Sequence, residues 1–235
     1  MKDGLKIAAY SMEKNNKYMG IIANNLANLN TIGYKRDVSF SNILGEYDKP
    51  TLLEYTDFRQ GEALQTDNPL DVALNGNAFF VVEKNDGMAL TRNGKFKISN
   101  DGYLIDEEGS KVLGKNGEIA LKTNMLGDDE MVIISKDGEI KVGQNTIDEL
   151  LVVRPDENTE LNKVGNCYYK VPDDQFVEVE EGEYEVHQGF IENSNVNAIE
   201  EMEAMIKITK NYESSQKIVN YMDQVLEQVN KIGKV

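Results

Sequence analysis

The stretch ANNLANLNTIGYKR, residues 23–36, ends an amphipathic segment and begins a segment with the composition of a turn. Upstream of it, apolar residues recur in alternating steps of three and four, as in a helix that buries one narrow seam against a partner helix. Asn15 is the single polar interruption, and Gly33 ends the pattern, so we predict a helix that stops near Asn30. The seam comprises Leu5, Ala8, Met12, Met19, Ile22, Leu26 and Leu29.

A second amphipathic segment ends the sequence. Asn195 or Asn197 can cap this helix, and Glu200 and Glu201 suit its first turn. Its seam comprises Ala198, Met205, Ile208, Tyr212, Val219, Met222, Leu226 and Val229, and a second stripe comprises Met202, Ile206, Ile218, Val225 and Ile232. Because two stripes bury more than one partner helix covers, we predict that the termini associate with further copies of the chain. The alternative is an intramolecular helical hairpin that serves only as a stalk.

The region between the helices has the pattern of β-structure. Residues 39–60 are irregular and contain Pro50, which indicates an extended connector. Asn-Gly, Asp-Gly and Glu-Gly pairs then recur at short spacing, and they separate short runs of β-branched and aromatic residues. We therefore predict an antiparallel sandwich or barrel-like β domain, with positive φ at Gly76, Gly87, Gly94, Gly102, Gly109, Gly117 and Gly138. The predicted strands lie at 78–82, 95–99, 131–135, 149–154, 167–171 and 176–179.

The composition excludes several classes of function. The net charge of −16 disfavours binding to nucleic acid, whose phosphates this surface repels. We find no apolar run long enough to span a membrane and no pattern of a cleaved signal peptide. Cys167 and His187 are the single residues of their kinds, which leaves little for zinc binding or for histidine-based catalysis.

The other polar clusters do not form a recognisable active site. The acidic runs 128–130 and 180–181 lack the spacing of a calcium loop, and phosphate-binding glycine motifs are absent. We expect no enzyme activity, no cofactor and no metal. Two interpretations of the asparagine run Asn24, Asn25, Asn28 and Asn30 remain equally open: carboxamides that fix the register of a helical seam, or a solvated helix end.

The quoted stretch resembles the N-terminal motif of bacterial flagellar rod and hook proteins. Three further blocks agree: residues 70–82, LDVALNGNAFFVV; residues 90–104, which contain TRNGKF and GYL; and residues 189–205, GFIENSNVNAIEEMEAM, followed by Tyr212-Glu213. Residues 120–185 match only loosely. Ile32, Tyr34 and Lys210 depart from the residues most usual in the family.

The resemblance implies a structural subunit of the flagellar basal body that polymerises with itself and with neighbouring rod proteins to transmit torque. It also implies export by the flagellar type III apparatus without cleavage. The implied organisation is an N-terminal helix at 1–36, a connector at 37–65, a β domain at 66–188 and a C-terminal helix at 189–235, with the two helices in a coiled-coil-like domain.

The resemblance and the two seams together give the predicted assembly residues. In the N-terminal segment these are Leu5, Met12, Met19, Ile22, Asn24, Asn25, Leu26, Asn28, Leu29, Thr31, Gly33 and Tyr34. In the C-terminal segment they are Ser194, Asn195, Val196, Glu201, Met202, Met205, Ile206, Tyr212, Glu213, Val219, Met222 and Leu226.

Within the family, the short connector after Arg36 favours the proximal rod subtype, F type. The alternatives are the distal rod subtype, G type, or a hook-type axial protein. A different class of function, a secreted β-sandwich that binds the cell wall, predicts a face of exposed aromatic residues, and the chain has no tryptophan.

Overall fold

The computed structural model describes residues 2–41, 52–84, 87–121, 131–155, 161–165, 167–170, 176–179 and 182–232. The chain forms two compact units. We call Met1–Leu29, Arg36–Asp57 and Val196–Val235 the helical unit, and Asn30–Lys35 and Phe58–Asn195 the β unit. The predicted mixed fold, with two terminal helices and an inserted antiparallel β region, is confirmed.

The helical unit contains helix α1 (Lys2–Ala27), helix α2 (Ala198–Ile232) and strands β1 (Asp37–Ser41) and β2 (Leu52–Thr56). Asn197 is the N-cap of α2, because its Oδ1 accepts hydrogen bonds from the backbone N–H of Ile199 at 3.0 Å and of Glu200 at 3.5 Å. With 35 residues, α2 is about 50 Å long.

Strands β1 and β2 lie in the segment for which the sequence indicated an irregular connector. They pair antiparallel, from Asp37 opposite Thr56 to Ser41 opposite Leu52. Residues 37–41 and 52–56 of this segment are therefore paired strands, and Pro50 lies outside the described residues. The connector bounds of 37–65 stay a prediction.

The β unit contains seventeen short strands in its described residues. They are β3 (Ala63–Gln65), β4 (Val72–Asn75), β5 (Phe79–Lys84), β6 (Gly87–Thr91), β7 (Lys97–Ile98), β8 (Leu104–Ile105), β9 (Lys111–Gly114), β10 (Gly117–Glu118), β11 (Val132–Ile134), β12 (Glu139–Val142), β13 (Asn145–Glu149), β14 (Val152–Pro155), β15 (Asn162–Lys163), β16 (Tyr168–Lys170), β17 (Phe176–Glu178), β18 (Glu185–Gln188) and β19 (Phe190–Glu192).

The strands of the β unit form antiparallel pairs throughout its described residues. The largest sheet has the order β15-β16-β6-β5-β9-β8-β7, with β10 on β9 and with β14 between β5 and β17. A three-stranded sheet, β11-β12-β13, and the pairs β18-β4 and β19-β3 complete the unit. The pairs β18-β4 and β19-β3 bring the end of the β region back to its beginning.

Two apolar clusters form the core of the β unit. The larger contains side chains from β4, β5, β6, β9, β11, β12 and β14, among them Val72, Phe80 and Ile140. In the smaller, Phe79 and Tyr169 meet edge to face with ring centroids 5.9 Å apart. Buried residues alternate with exposed ones in β11 and with half-buried ones in β12, as the two-residue period of a strand requires.

The prediction of positive φ is confirmed at six of the seven turn glycines, with Gly94 as the exception. Gly94 is needed for close packing instead: a Cβ atom there would lie 1.7 Å from the carbonyl oxygen of Val72. This contact joins segments far apart in sequence, so the local pattern could not predict it. The acidic runs 128–130 and 180–181, and Asp86, lie outside the described residues.

Candidate assembly site

The two helices of the helical unit pack antiparallel. The hydroxyl groups of Ser11 and Ser215 are 3.2 Å apart, and a Cβ atom on Gly4 would lie 2.5 Å from the Cε of Met222. These two contacts are seven residues apart on each helix, and they run in opposite directions along α1 and α2. This register brings the two predicted seams together.

Burial along α1 follows the predicted seam. Ala8, Asn15 and Ile22 are buried, and Met12, Met19, Leu26 and Leu29 are half-buried, whereas Leu5 is at the exposed end. The amide nitrogen of Asn15 has no hydrogen-bond partner in the described part of the chain. This polar interruption of the seam is therefore inside the helix pair.

Burial along α2 follows its seam as far as Met222. Ala198, Met205, Ile208, Tyr212, Val219 and Met222 are half-buried. Glu201 and Ser215, which share this face, are buried. Leu226 and Val229 are exposed, because α1 does not extend far enough to cover them. Gly4 of α1 packs against Met222, and α1 begins only two residues earlier, at Lys2.

The second stripe of α2 is exposed in the single chain. The exposed fractions are 56% for Met202, 58% for Ile206, 49% for Ile218 and 47% for Val225. Ile199 and Tyr221 are more exposed still, at 77% and 67%. The side chain of Ile232 lies outside the described residues. A folded single chain therefore leaves several large apolar side chains of α2 in water, which is typical of surfaces that bind another protein.

The end of α1 is fixed to β1 by a buried carboxamide. Asn25 donates from Nδ2 to the carbonyl oxygen of Asp37 at 2.9 Å and accepts from the Asp37 N–H at 3.0 Å. Asn28 donates to the carbonyl oxygen of Asn24 at 2.9 Å, and Asn24 and Asn30 are exposed. Of the two interpretations of the asparagine run, neither applies to Asn25: its carboxamide is buried and pairs with its own chain.

An ion pair joins Arg36 to α2 within the helical unit. Its Nε donates to the carboxylate of Glu201 at 2.5 Å, and the Glu201 side chain is 1% exposed. A groove of about 340 Å³ adjoins this pair, with Ile21, Ile22 and Ile208 among its lining residues. This part of the helical unit thus combines a buried ion pair with an open, mainly apolar groove.

A buried charge cluster fixes the first and last segments of the β unit to each other. We call Lys35, Arg92 and Glu192 the buried charge cluster, and each of these side chains is 1% exposed. Lys35 Nζ donates to Glu192 Oε1 at 2.6 Å, and Arg92 donates to Glu192 Oε2 at 3.3 Å. The backbone N–H of Gly61 also donates to Oε1, at 2.8 Å.

The backbone around this cluster is held as tightly as its side chains. Gly33 donates from its N–H to the carbonyl oxygen of Glu192 at 2.8 Å, and Lys35 also donates to the carbonyl oxygen of Arg59 at 2.8 Å. Burial lowers the pKa of Arg92, and the adjacent Glu192 carboxylate opposes this effect. Four segments of the chain therefore meet at one carboxylate: residues 33–35, 59–61, 92 and 192.

The sequence did not single out Lys35, Arg92 or Glu192 as site residues. Each belongs to a block that resembles the rod family, but a charged residue in sequence normally indicates an exposed surface. The partners Lys35 and Glu192 are 157 positions apart. Only the folded chain shows that their charges are buried together.

Most of the remaining predicted residues are buried or half-buried. Tyr34 is fully buried beneath Lys163, whose Nζ lies 4.1 Å from the ring centroid. Asn195 donates to the carbonyl oxygen of Arg59 at 2.9 Å. Val196 is buried, Thr31 and Ser194 are half-buried, and Glu213 on α2 is exposed. The role of these residues in subunit contacts stays a prediction.

The single cysteine and the single histidine have structural surroundings. Burial raises the pKa of the Cys167 thiol to about 12, and its Sγ donates to the carbonyl oxygen of Ile32 at 3.3 Å. His187 lies in β18, opposite Ala73 of β4. The described residues contain no group of three acidic, histidine or cysteine side chains placed to hold a metal ion, and none of their helices is long and apolar enough to cross a membrane.

Three protein-family models match the chain. The model of the flagella basal body rod protein matches residues 11–35, that of the flagellar hook protein FlgE/F/G D1 domain matches 73–142, and that of the flagellar basal body rod FlgEFG protein C-terminal matches 187–232. The first and third cover most of the two helices, and the second covers the first half of the β unit.

Several known proteins are similar over nearly their full length. The flagellar basal-body rod protein FlgF of Caulobacter vibrioides is 31% identical, with 92% of each chain covered. FlgF of Rhizobium meliloti is 30% identical over 91% of this chain and 90% of the relative. The flagellar basal-body rod protein FlgG of Buchnera aphidicola from Acyrthosiphon pisum is 30% identical over 91% of this chain and 93% of the relative.

Proposed function

The chain belongs to the family of bacterial flagellar basal-body rod proteins, and from this premise we propose that it polymerises through its two terminal helices. It is a structural subunit of the rod and acts in motility as part of the flagellar basal body. Its partners are further copies of itself and the neighbouring rod proteins. Export by the flagellar type III apparatus is part of the same proposal.

The exposed second stripe of α2 is the observation that supports polymerisation. Burying one large apolar side chain is worth about 1.5–3 kcal/mol relative to leaving it in water. Met202, Ile206, Ile218 and Val225 are each about half exposed, so subunit contacts that cover these side chains gain from all four. A helical hairpin that served only as a stalk would have no use for these side chains.

The helix pair also supports a coiled-coil contact within each subunit. The seven-residue correspondence between Gly4–Met222 and Ser11–Ser215 is the period of a left-handed coiled coil. We propose that this pair forms the inner layers of the rod, because densely packed helices are stiff and transmit strain. Torque then passes through many side-by-side contacts.

We assign the subunit to the proximal rod, F type. The support is the short segment between Arg36 and the β unit, since the known relatives of the F and G types are about equally similar. Electron microscopy of purified basal bodies with a tagged subunit tests the assignment. A tag at the membrane-proximal end of the rod agrees with it, and a tag along the distal rod contradicts it.

A double substitution on the exposed stripe tests polymerisation itself. Met202→Asp with Ile206→Asp places two charges where we expect a subunit contact, and it leaves the half-buried seam of α2 intact. Lys210→Asp with Gln224→Asp is the matched control, since both residues are polar and exposed and lie on the side of α2 opposite the seam. We expect the first variant to be folded and exported but absent from basal bodies and non-motile. Normal motility of that variant would contradict the proposal.

A further inference from the structure

The exposed apolar residues of α2 form two patches with the same spacing. Patch A consists of Ile199, Met202 and Ile206, and patch B consists of Ile218, Tyr221 and Val225. Every one of these side chains is at least 47% exposed. In both patches the second residue lies three positions after the first residue, and the third lies seven positions after the first. Patch B is thus patch A moved along the helix by nineteen residues.

The two patches lie on opposite sides of the seam that faces α1. At 3.6 residues per turn, patch A is rotated by about 100° to one side of the local seam and patch B by about 100° to the other. Their centres, Met202 and Tyr221, are about 28 Å apart along the helix axis. One rigid helix cannot bring its own two patches together, so a contact between patch A and patch B joins two molecules.

From this arrangement, and resting on the proposed function, we propose that patch A of one subunit packs on patch B of a second copy of this chain, with the two α2 helices parallel. The contact is heterologous, because it joins two different surfaces, and the displacement along the helix direction keeps it from closing into a ring. Each added copy is displaced by about 28 Å along the helix direction.

The charges beside the patches fit this register. Glu203 adjoins patch A and Lys217 adjoins patch B, and both are exposed without an ion-pair partner in the described part of the chain. When Met202 lies opposite Tyr221 of the neighbour, Glu203 is level with Met222 of the neighbour, which is five residues after Lys217. Glu203 and the neighbour's Lys217 are also on the same side of the contact. This five-residue offset is the relation between salt-bridged flanking residues in parallel coiled coils. An isologous contact of A on A or B on B, with the two helices antiparallel, would bring like charges together.

Disulfide cross-linking in assembled basal bodies tests the register. A chain with Met202→Cys and Tyr221→Cys can link to two neighbours, so mild oxidation should give a ladder of dimers, trimers and longer products. A chain with only one of the two cysteines should give no cross-linked product by itself. Co-expression of the two single-cysteine chains should give dimers and no longer products. Glu213→Cys with Asp223→Cys, on exposed polar positions, is the control and should give no product.

Charge reversal provides the second readout. Glu203→Lys or Lys217→Glu, each added to the cysteine pair, should reduce the ladder at least several-fold, and the two reversals together should restore it. Dimers from chains that carry one cysteine alone would overturn the proposal in favour of an isologous contact. A subunit that is present in basal bodies but gives no ladder would overturn the register and leave the rod function standing. Absence of the unsubstituted subunit from basal bodies would count against the rod function itself.

Discussion

At the scale of single residues, the carboxylate of Glu192 joins four segments of the β unit. It lies at 1% exposure between Lys35 and Arg92 and also accepts from the backbone of Gly61. Removing one partner from a buried ion pair costs far more than the pair itself contributes, because the remaining charge stays out of water. The cluster therefore holds the residues that enter and leave the β unit in one arrangement.

Glu192→Gln should lower the free energy of unfolding of the β unit by about 3–5 kcal/mol, since it leaves the ammonium of Lys35 and the guanidinium of Arg92 beside a neutral amide. Urea denaturation followed by tyrosine fluorescence measures the change. Glu185→Gln is the control: Glu185 pairs with Lys136 at an exposed site, and its loss should leave the midpoint unchanged. Equal midpoints for both variants would mean that the cluster does not stabilise the fold.

Gly33 has φ of +69°, and a Cβ atom there would lie 2.4 Å from the backbone nitrogen of Asn93. Gly33→Val should destabilise the chain by more than about 2 kcal/mol, because valine combines backbone strain with a steric clash. Gly20→Ala, at an open position on α1, should instead stabilise by about 0.5–1 kcal/mol. Thermal unfolding of both variants measures the two changes, and a stable valine variant would contradict this reading.

At the scale of the helices, two faces of α2 differ in what they contact. The face with Val219 and Met222 packs within the chain, and the face with Met202 and Ile206 is left in water. Helix propensity alone does not hold α1 and α2 in place, since most helical stability in proteins comes from packing of an apolar face.

Val219→Asp and Leu26→Asp should therefore weaken the α1–α2 pair itself, whereas Met202→Asp should not. We expect the first two variants to lose helical circular dichroism in the isolated subunit, with the β unit still folded, and to be non-motile. The Met202 variant should keep its helical signal. A motile strain with Asp at position 219 or 26 would count strongly against the seam.

At the scale of the whole molecule, the sequence predicted what depends on local periodicity. The seven-residue repeats predicted both helices, and Asn197 caps α2 as one of the two proposed residues. Long-range contacts were not predictable: the position of Gly94 against Val72, the pairing of β1 with β2, and the burial of Lys35 with Glu192 each join segments that only the fold brings together. The sequence also did not show which predicted site residues are exposed and which are buried. It does not separate the exposed residues on α2 from Asn25 and Tyr34, which are buried.

The central claim is that the exposed apolar side chains of α2, in patch A and in patch B, are covered only when subunits assemble. Thiol labelling of Val225→Cys tests it most directly, because burial raises the pKa of the native Cys167 to about 12 and keeps that thiol unreactive at neutral pH. We expect position 225 to react quickly in the isolated subunit and at least ten-fold more slowly in purified basal bodies. Equal labelling rates in the two states would contradict the claim.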